Sequence, residues 1–312
     1  MQLDLMMVFQ SLVGLFLLIG LGIFLAKSGI LPTSIAPGLS AFILKVTMPC
    51  TCFLALVQQS YDPAFLRDAV LMFLTGFFVV LLTLAVSVVL SNVFSIPRSR
   101  RGVWAFSATF SNYGFMGFPI ILSLLGSYAL ALAAIFSIVF NLIIYSLGDM
   151  VISRDVASSQ DRVSLKKIIL TPLNFGILMS LVVYFGRIPL PAAISVPITH
   201  LSNTTTPMSL IVTGILLSDC NLREVITDKS LYGCAALRLL VYPFLSLFLL
   251  KSLPFLNPMI VSVIVIIMSM PTAASATFLS ETKGADSVFG SKVILITSIL
   301  CIVTLPLLCV FL

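Results

Sequence analysis

Charge is scarce in this chain. Only 9% of its 312 residues are Asp, Glu, Lys or Arg, where a soluble domain carries about 25%. That excludes an ordinary water-exposed surface. Histidine is scarcer still, with His200 alone, so no HExxH or His/Cys ligand set exists. An intramembrane hydrolase would also lack a base beside its nucleophile. No GxxxxGK[ST] loop is present, which argues against direct ATP drive. The six cysteines, Cys50, Cys52, Cys220, Cys234, Cys301 and Cys309, have no metal-like spacing and read as small buried hydrophobes. The sequence therefore calls for no metal, no cofactor and no catalytic residue. A non-transporting receptor remains an alternative class, but it brings no soluble signalling domain.

What is abundant is apolar. Hydrophobic residues make up 60% of the chain, and the mean hydropathy is +1.19. A membrane crossing needs about 20 such residues. Ten segments qualify: 6–26, 38–58, 66–92, 103–125, 128–150, 168–187, 198–218, 231–252, 258–280 and 290–312. The opening MQLDLMMVFQ has no basic n-region and reads as the start of the first span rather than a signal peptide. The tightest connection is at Gly126 and Ser127.

The net charge of +6 is distributed by side, not by patch. Alternate loops hold Lys27; Arg98, Arg100 and Arg101; Arg154, Arg162, Lys166 and Lys167; Arg223 and Lys229; Lys283 and Lys292. The opposite loops hold only Arg67, Arg187 and Lys251. Basic residues collect on the cytoplasmic side, so both termini are expected outside a plasma membrane. The positive charge is topology, and nucleic acid is not an expected partner.

The longest polar stretch, SRDVASSQDRVSLKK, divides the spans into five and five. An odd number per half inverts the second half, the arithmetic of many secondary transporters. The expected organisation is repeat 1 over 1–150, a cytoplasmic linker over 151–167 and repeat 2 over 168–312. The second and fourth spans of each half carry an internal proline: Pro49 and Pro119, then Pro207 and Pro271. Proline removes a backbone donor and clashes with the preceding turn. Matched interruptions point to a binding site at the repeat interface.

FSNYGFMGFPI (110–120) resembles the fourth helix of the auxin efflux carrier family, with Asn112 seven residues before Pro119. MPTAASATFLSETKGAD (270–286) resembles its ninth helix. TPLNFGILMSLVVYFGRIPLP and ALRLLVYPF resemble its sixth and eighth. The resemblance implies an all-α polytopic fold of ten helices in two inverted repeats, like the bile-acid/sodium symporters. Helices 1, 2, 6 and 7 would form a scaffold. Helices 3–5 and 8–10 would form a transport domain in which broken helices 4 and 9 cross. It implies a secondary carrier of small organic anions working by alternating access. The absence of a long central loop counts against auxin itself. An anion channel on the same fold stays open, as do proton, sodium or no coupling, and a homodimer.

Asn112 is the first substrate-binding candidate. It lies about 14 Å into its span at 1.5 Å per residue, and its neutral amide can donate to a carboxylate. Ser111 and Tyr113 flank it. Gly114 and Gly117 permit close backbone approach at the expected crossover. In span 9, Thr272 and Ser275 follow Pro271, with Thr277 close behind. In the scaffold, Thr47 beside Pro49, and Asn203 and Thr206 beside Pro207, are candidates to face the site, with local hydroxyl-to-backbone bonding as the alternative reading; Thr204 to Thr206 cannot all face it. Buried charges are functional candidates. Lys45 and Arg238 lie about 10 Å from their span ends; Lys45 is expected to snorkel, and Arg238 to pair with Asp149 or Asp219. Glu281 and Asp286 read as a solvated turn with a proton-relay role as the alternative. His200 reads as an interface residue.

Overall fold

Capping residues followed by proline set where these helices begin. The computed structural model describes residues 5–94, 96–154, 156, 171–218 and 228–312. Most of the 151–167 linker, with Arg162, Lys166 and Lys167, lies outside the described residues, as do Asp219, Cys220 and Arg223. Twelve helices are described: α1 (Leu5–Lys27), α2 (Thr33–Val57), α3 (Pro63–Val93), α4 (Arg98–Thr109), α5 (113–125), α6 (127–153), α7 (Pro172–Gly186), α8 (Ala192–Ser218), α9 (229–251), α10 (Pro258–Ser269), α11 (Ser275–Lys283) and α12 (Ser287–Cys309). Asp62, Thr171 and Asn257 cap α3, α7 and α10 through their side-chain oxygens, each with proline next. Proline at the first helical position loses no hydrogen bond, because that N–H has no partner in the helix.

Six helical stretches are long and apolar enough to cross a membrane: Phe9–Lys27, Thr33–Val57, Pro63–Val93, Tyr113–Ser153, Ser230–Lys251 and Ser287–Cys309. Pro172–Gly186 and Pro258–Ser269 are shorter apolar helices. The stretch from Tyr113 to Ser153 is cut at Gly126, whose φ of 80° and ψ of −170° leave the helical region. That conformation is open to glycine and strained for other residues. It makes the one-residue connection between α5 and α6.

The internal prolines do something other than break helices. Pro49, Pro119 and Pro243 each follow a widened π turn, 43–47, 113–117 and 237–241. In each, an i→i−5 bond bypasses the carbonyl that proline cannot serve: Met48 N–H to Ile43 O, Phe118 N–H to Tyr113 O and Tyr242 N–H to Leu237 O. So α2 runs unbroken past Pro49, and α8 runs unbroken past Pro197 and Pro207. The expected breaks at Pro49 and Pro207 are therefore absent. The break in the fourth apolar segment lies at 110–112, ahead of Pro119. Only Pro271 sits within a break.

Two groups of helices form. In one, α1 packs on α8, and α2 packs on α7 and α8. Gly22 and Gly214 make the α1–α8 contact: a Cβ on either would lie 2.1 Å from a backbone oxygen of the other helix. The other group contains α3 to α6 and α9 to α12. Phe110, Phe140 and Tyr113 pack edge to face at its centre, with centroids 5.4 and 4.8 Å apart.

Ion pairs mark one end of the molecule. Arg100 binds Asp228 at 2.9 Å and Asp286 at 2.8 Å, and Lys283 binds Asp149 at 3.0 Å. The other end gathers Tyr61, Asp62, Tyr184 and Arg187. There Asp68 also accepts from Tyr128 and Asn257. Residues from alternate connections thus share an end.

Candidate functional site

Two helix breaks meet inside the second group. α4 stops at Thr109, and α10 stops at Ser269, because Met270 is held extended (ψ 153°) ahead of Pro271. The unwound segments then pair with each other. Asn112 N–H donates to Pro271 O at 2.7 Å, and Ala273 N–H donates to Phe110 O at 2.9 Å. Ser111 and Thr272 are the bridged residues of this short antiparallel contact. A buried backbone group without a partner costs roughly 1–3 kcal/mol, so each break satisfies groups that the other exposes.

The breaks also free carbonyls at the C-terminal ends of α4 and α10. Arg238 takes them. Its side chain is 0% exposed. Nε donates to Met270 O at 3.0 Å. Nη1 donates to Ala108 O at 3.3 Å and to Thr109 O, and Nη2 to Ile267 O at 3.3 Å and Met268 O at 3.0 Å. A guanidinium has five N–H groups, and all five are spent on carbonyls. Arg238 therefore neither reaches the span end nor pairs with Asp149, which is held by Lys283.

On the far side of the breaks lie the N-termini of α5 and α11. Asn112 caps α5: its Oδ1 accepts the Phe115 N–H at 3.2 Å. That fixes the carboxamide and leaves its NH2 without a protein partner among the described residues. α11 has no side-chain cap. The buried hydroxyls of Ser107, Ser111, Ser275 and Thr277 also lack partners, as does Thr47 in the π turn of α2. Met48 brings that turn against α5, with its Cε 3.1 Å from where a Cβ on Gly114 would lie. Met270 covers Gly117 similarly, its Cγ 3.4 Å from a Cβ there. Helix N-termini present N–H groups and partial positive charge, so the site is rich in donors.

A family profile described as membrane transport protein matches residues 7–309. This chain belongs to that membrane transport family, the family of the auxin efflux carriers. Among curated relatives, an uncharacterized transporter of Methanothermobacter thermautotrophicus is 26% identical over 306 residues, 96% of each chain. An uncharacterized transporter of Methanocaldococcus jannaschii is 28% identical over 208 residues, 65% of this chain and 66% of the relative. With its long apolar helices, the protein is a multi-pass membrane protein of a transporter family.

The transporter brings some expected residues together and commits others elsewhere. Asn112, Ser111, Gly114, Gly117, Pro271 and Ser275 gather at the two breaks. Thr272 spends its hydroxyl on Ser107 O at 2.8 Å. Tyr113 donates to Asn141 Oδ1 at 2.8 Å, and Asn141 donates to Asn174 Oδ1 at 3.2 Å, linking α5, α6 and α7. In α8, Thr205 is buried and shares a 2.7 Å hydrogen bond with Thr51, Thr206 is half-buried, and Asn203 is exposed. α8 itself packs on 113–117. Lys45 and Glu281 are exposed. Asp286 caps α12 through the Phe289 N–H at 2.9 Å and binds Arg100.

Two residues, Asn141 and Asp68, escape a reading by motif, and Arg238, already a candidate, was given the wrong partners. Arg238 carried a signal in its isolation, since no acidic residue lies within a helical turn of it in YGCAALRLLVYPF. Asn141 is a lone amide in IFSIVFNLII, and Asp68 a lone carboxylate inside the third apolar segment. Sequence spacing identifies such residues as expensive but does not reveal their partners.

Proposed function

We propose that the transporter is a secondary carrier of small organic anions, mono- or dicarboxylates, acting by alternating access. One observation carries this reading. The Asn112 carboxamide is locked by its own cap, with its NH2 free beside two half-helix N-termini and unpartnered buried hydroxyls. A carboxylate is an acceptor-only group, and every group named here has a donor to offer it: the Asn112 NH2, the helix N–H groups and the hydroxyls. The carbonyl ends of the two breaks, which would attract a cation, are already filled by Arg238. In this reading α4/α5 and α10/α11 are the broken fourth and ninth of ten crossings, in inverted repeats over 1–150 and 168–312. The group of α1, α2, α7 and α8 is the scaffold, and the other group moves past it. The carrier sits in the plasma membrane with both termini outside.

The test is counterflow in proteoliposomes with a panel of radiolabelled mono- and dicarboxylates. At least one anion is expected to exchange, and a panel that stays still removes the carrier reading. Asn112→Ala is expected to weaken affinity about 10- to 100-fold, the loss of a hydrogen bond to a charged group. Unchanged affinity in a folded Asn112→Ala protein would take Asn112 out of the site.

A further inference from the structure

Three charged side chains are buried among the described residues: Asp68, Asp149 and Arg238. Asp149 has Lys283 at 3.0 Å, and Asp68 has Arg67 at 3.5 Å. Arg238 has only neutral carbonyls. Its hydrogen bonds are complete, yet its charge has no counter-charge, and burying a full charge without one is costly. The donor-rich site begins three residues beyond Thr109, a chain distance of at most about 10 Å. Arg238 also sits on α9, in the same packed group as both breaks. Any rigid movement of that group carries the guanidinium with it.

We propose that Arg238 is the resident counter-cation of the transported anion, travelling with it as a fixed charge. This rests on the carrier reading above and adds an electrical consequence to it. With a monoanion aboard, the moving group carries no net charge from this pair. Returning empty, it carries one positive charge. The other buried charges of the group are paired and contribute nothing further. Exchange, which uses only the loaded movement, is then insensitive to membrane potential, whereas net transport is sensitive.

Wild-type proteoliposomes, with potential set by potassium and valinomycin, provide the measurement. The probes are radiolabelled indole acetate, a monoanion, and malonate at pH 8, a dianion. One elementary charge crossing 100 mV shifts an equilibrium by about 50-fold. Indole acetate counterflow is expected to change less than about twofold over that range, while its net efflux changes several-fold. Malonate counterflow, with one uncompensated negative charge, is expected to follow the potential. Arg238→Gln is expected to make indole acetate counterflow potential-dependent, and Arg238→Lys to keep it flat. If Arg238→Gln does not fold, the wild-type comparison of the two probes decides alone, and either probe suffices if only one moves. Wild-type indole acetate counterflow that tracks the potential, or malonate counterflow that ignores it, overturns the role given to Arg238 and leaves the carrier reading standing. Absence of flux with every anion removes the carrier reading, and this inference with it.

Discussion

At the residue scale, the two polar neighbours Asn112 and Tyr113 have opposite fates. Asn112 is fixed by backbone and keeps its donors free. Tyr113 closes a chain through Asn141 to Asn174. Interhelical hydrogen bonds in membranes average about 0.6 kcal/mol and reach about 1.7. Tyr113→Phe is therefore expected to lower thermal stability in detergent by an amount in that range, with counterflow affinity unchanged. A loss of affinity at unchanged stability would return Tyr113 to the substrate. Asn112 is the non-helical cap (φ −78°, ψ 61°) and Tyr113 opens the π turn that follows, so sequence proximity to Asn112 does not set where the Tyr113 hydroxyl goes.

At the element scale, the closest packing is between α1 and α8. A methyl group at Gly214 would meet Ile19 O at 2.1 Å, backbone that cannot yield locally. Gly214→Ala is expected to force the helices apart at a cost of about 1–3 kcal/mol, read as a lower midpoint in a thermal melt. A midpoint equal to wild type would mean that the helices are not in contact there. Element positions were largely legible in the sequence, since apolar length, Asp or Asn caps and proline starts fix helix ends locally. Pro258–Ser269 is an apolar helix inside the expected 258–280 segment, and Gly126 was identified as the tight connection. The break at 110–112 was not legible, because proline position misled. A π turn absorbs Pro119 inside a helix, while the true break is stabilised by Pro271 O and Phe110 O, partners some 160 residues apart in sequence. The carbonyl targets of Arg238 were hidden for the same reason.

At the scale of the whole molecule, Arg100 gathers the starts of α4, α9 and α12 through Asp228 and Asp286. Partial burial alone would raise the Asp228 carboxyl. The Ser230 hydroxyl and amide, and the Arg100 guanidinium, outweigh that and hold it below the ordinary carboxylate value. A carboxyl lowered in the folded state stabilises above its unfolded pKa, about 3.9, and loses that contribution as pH falls through the folded value. Asp228→Asn keeps an N-cap but loses the charge. Its melting midpoint is expected to lie below wild type from about pH 5 to 8 and to converge with it below about pH 4. A gap that persists in acid would assign the effect to the cap instead. The bridge between Ser111 and Thr272 has a consequence on a longer timescale. Its two hydrogen bonds use main-chain atoms alone, so mutation of either side chain leaves the joint intact. Side chains around the joint can therefore change over generations without unpairing the two breaks.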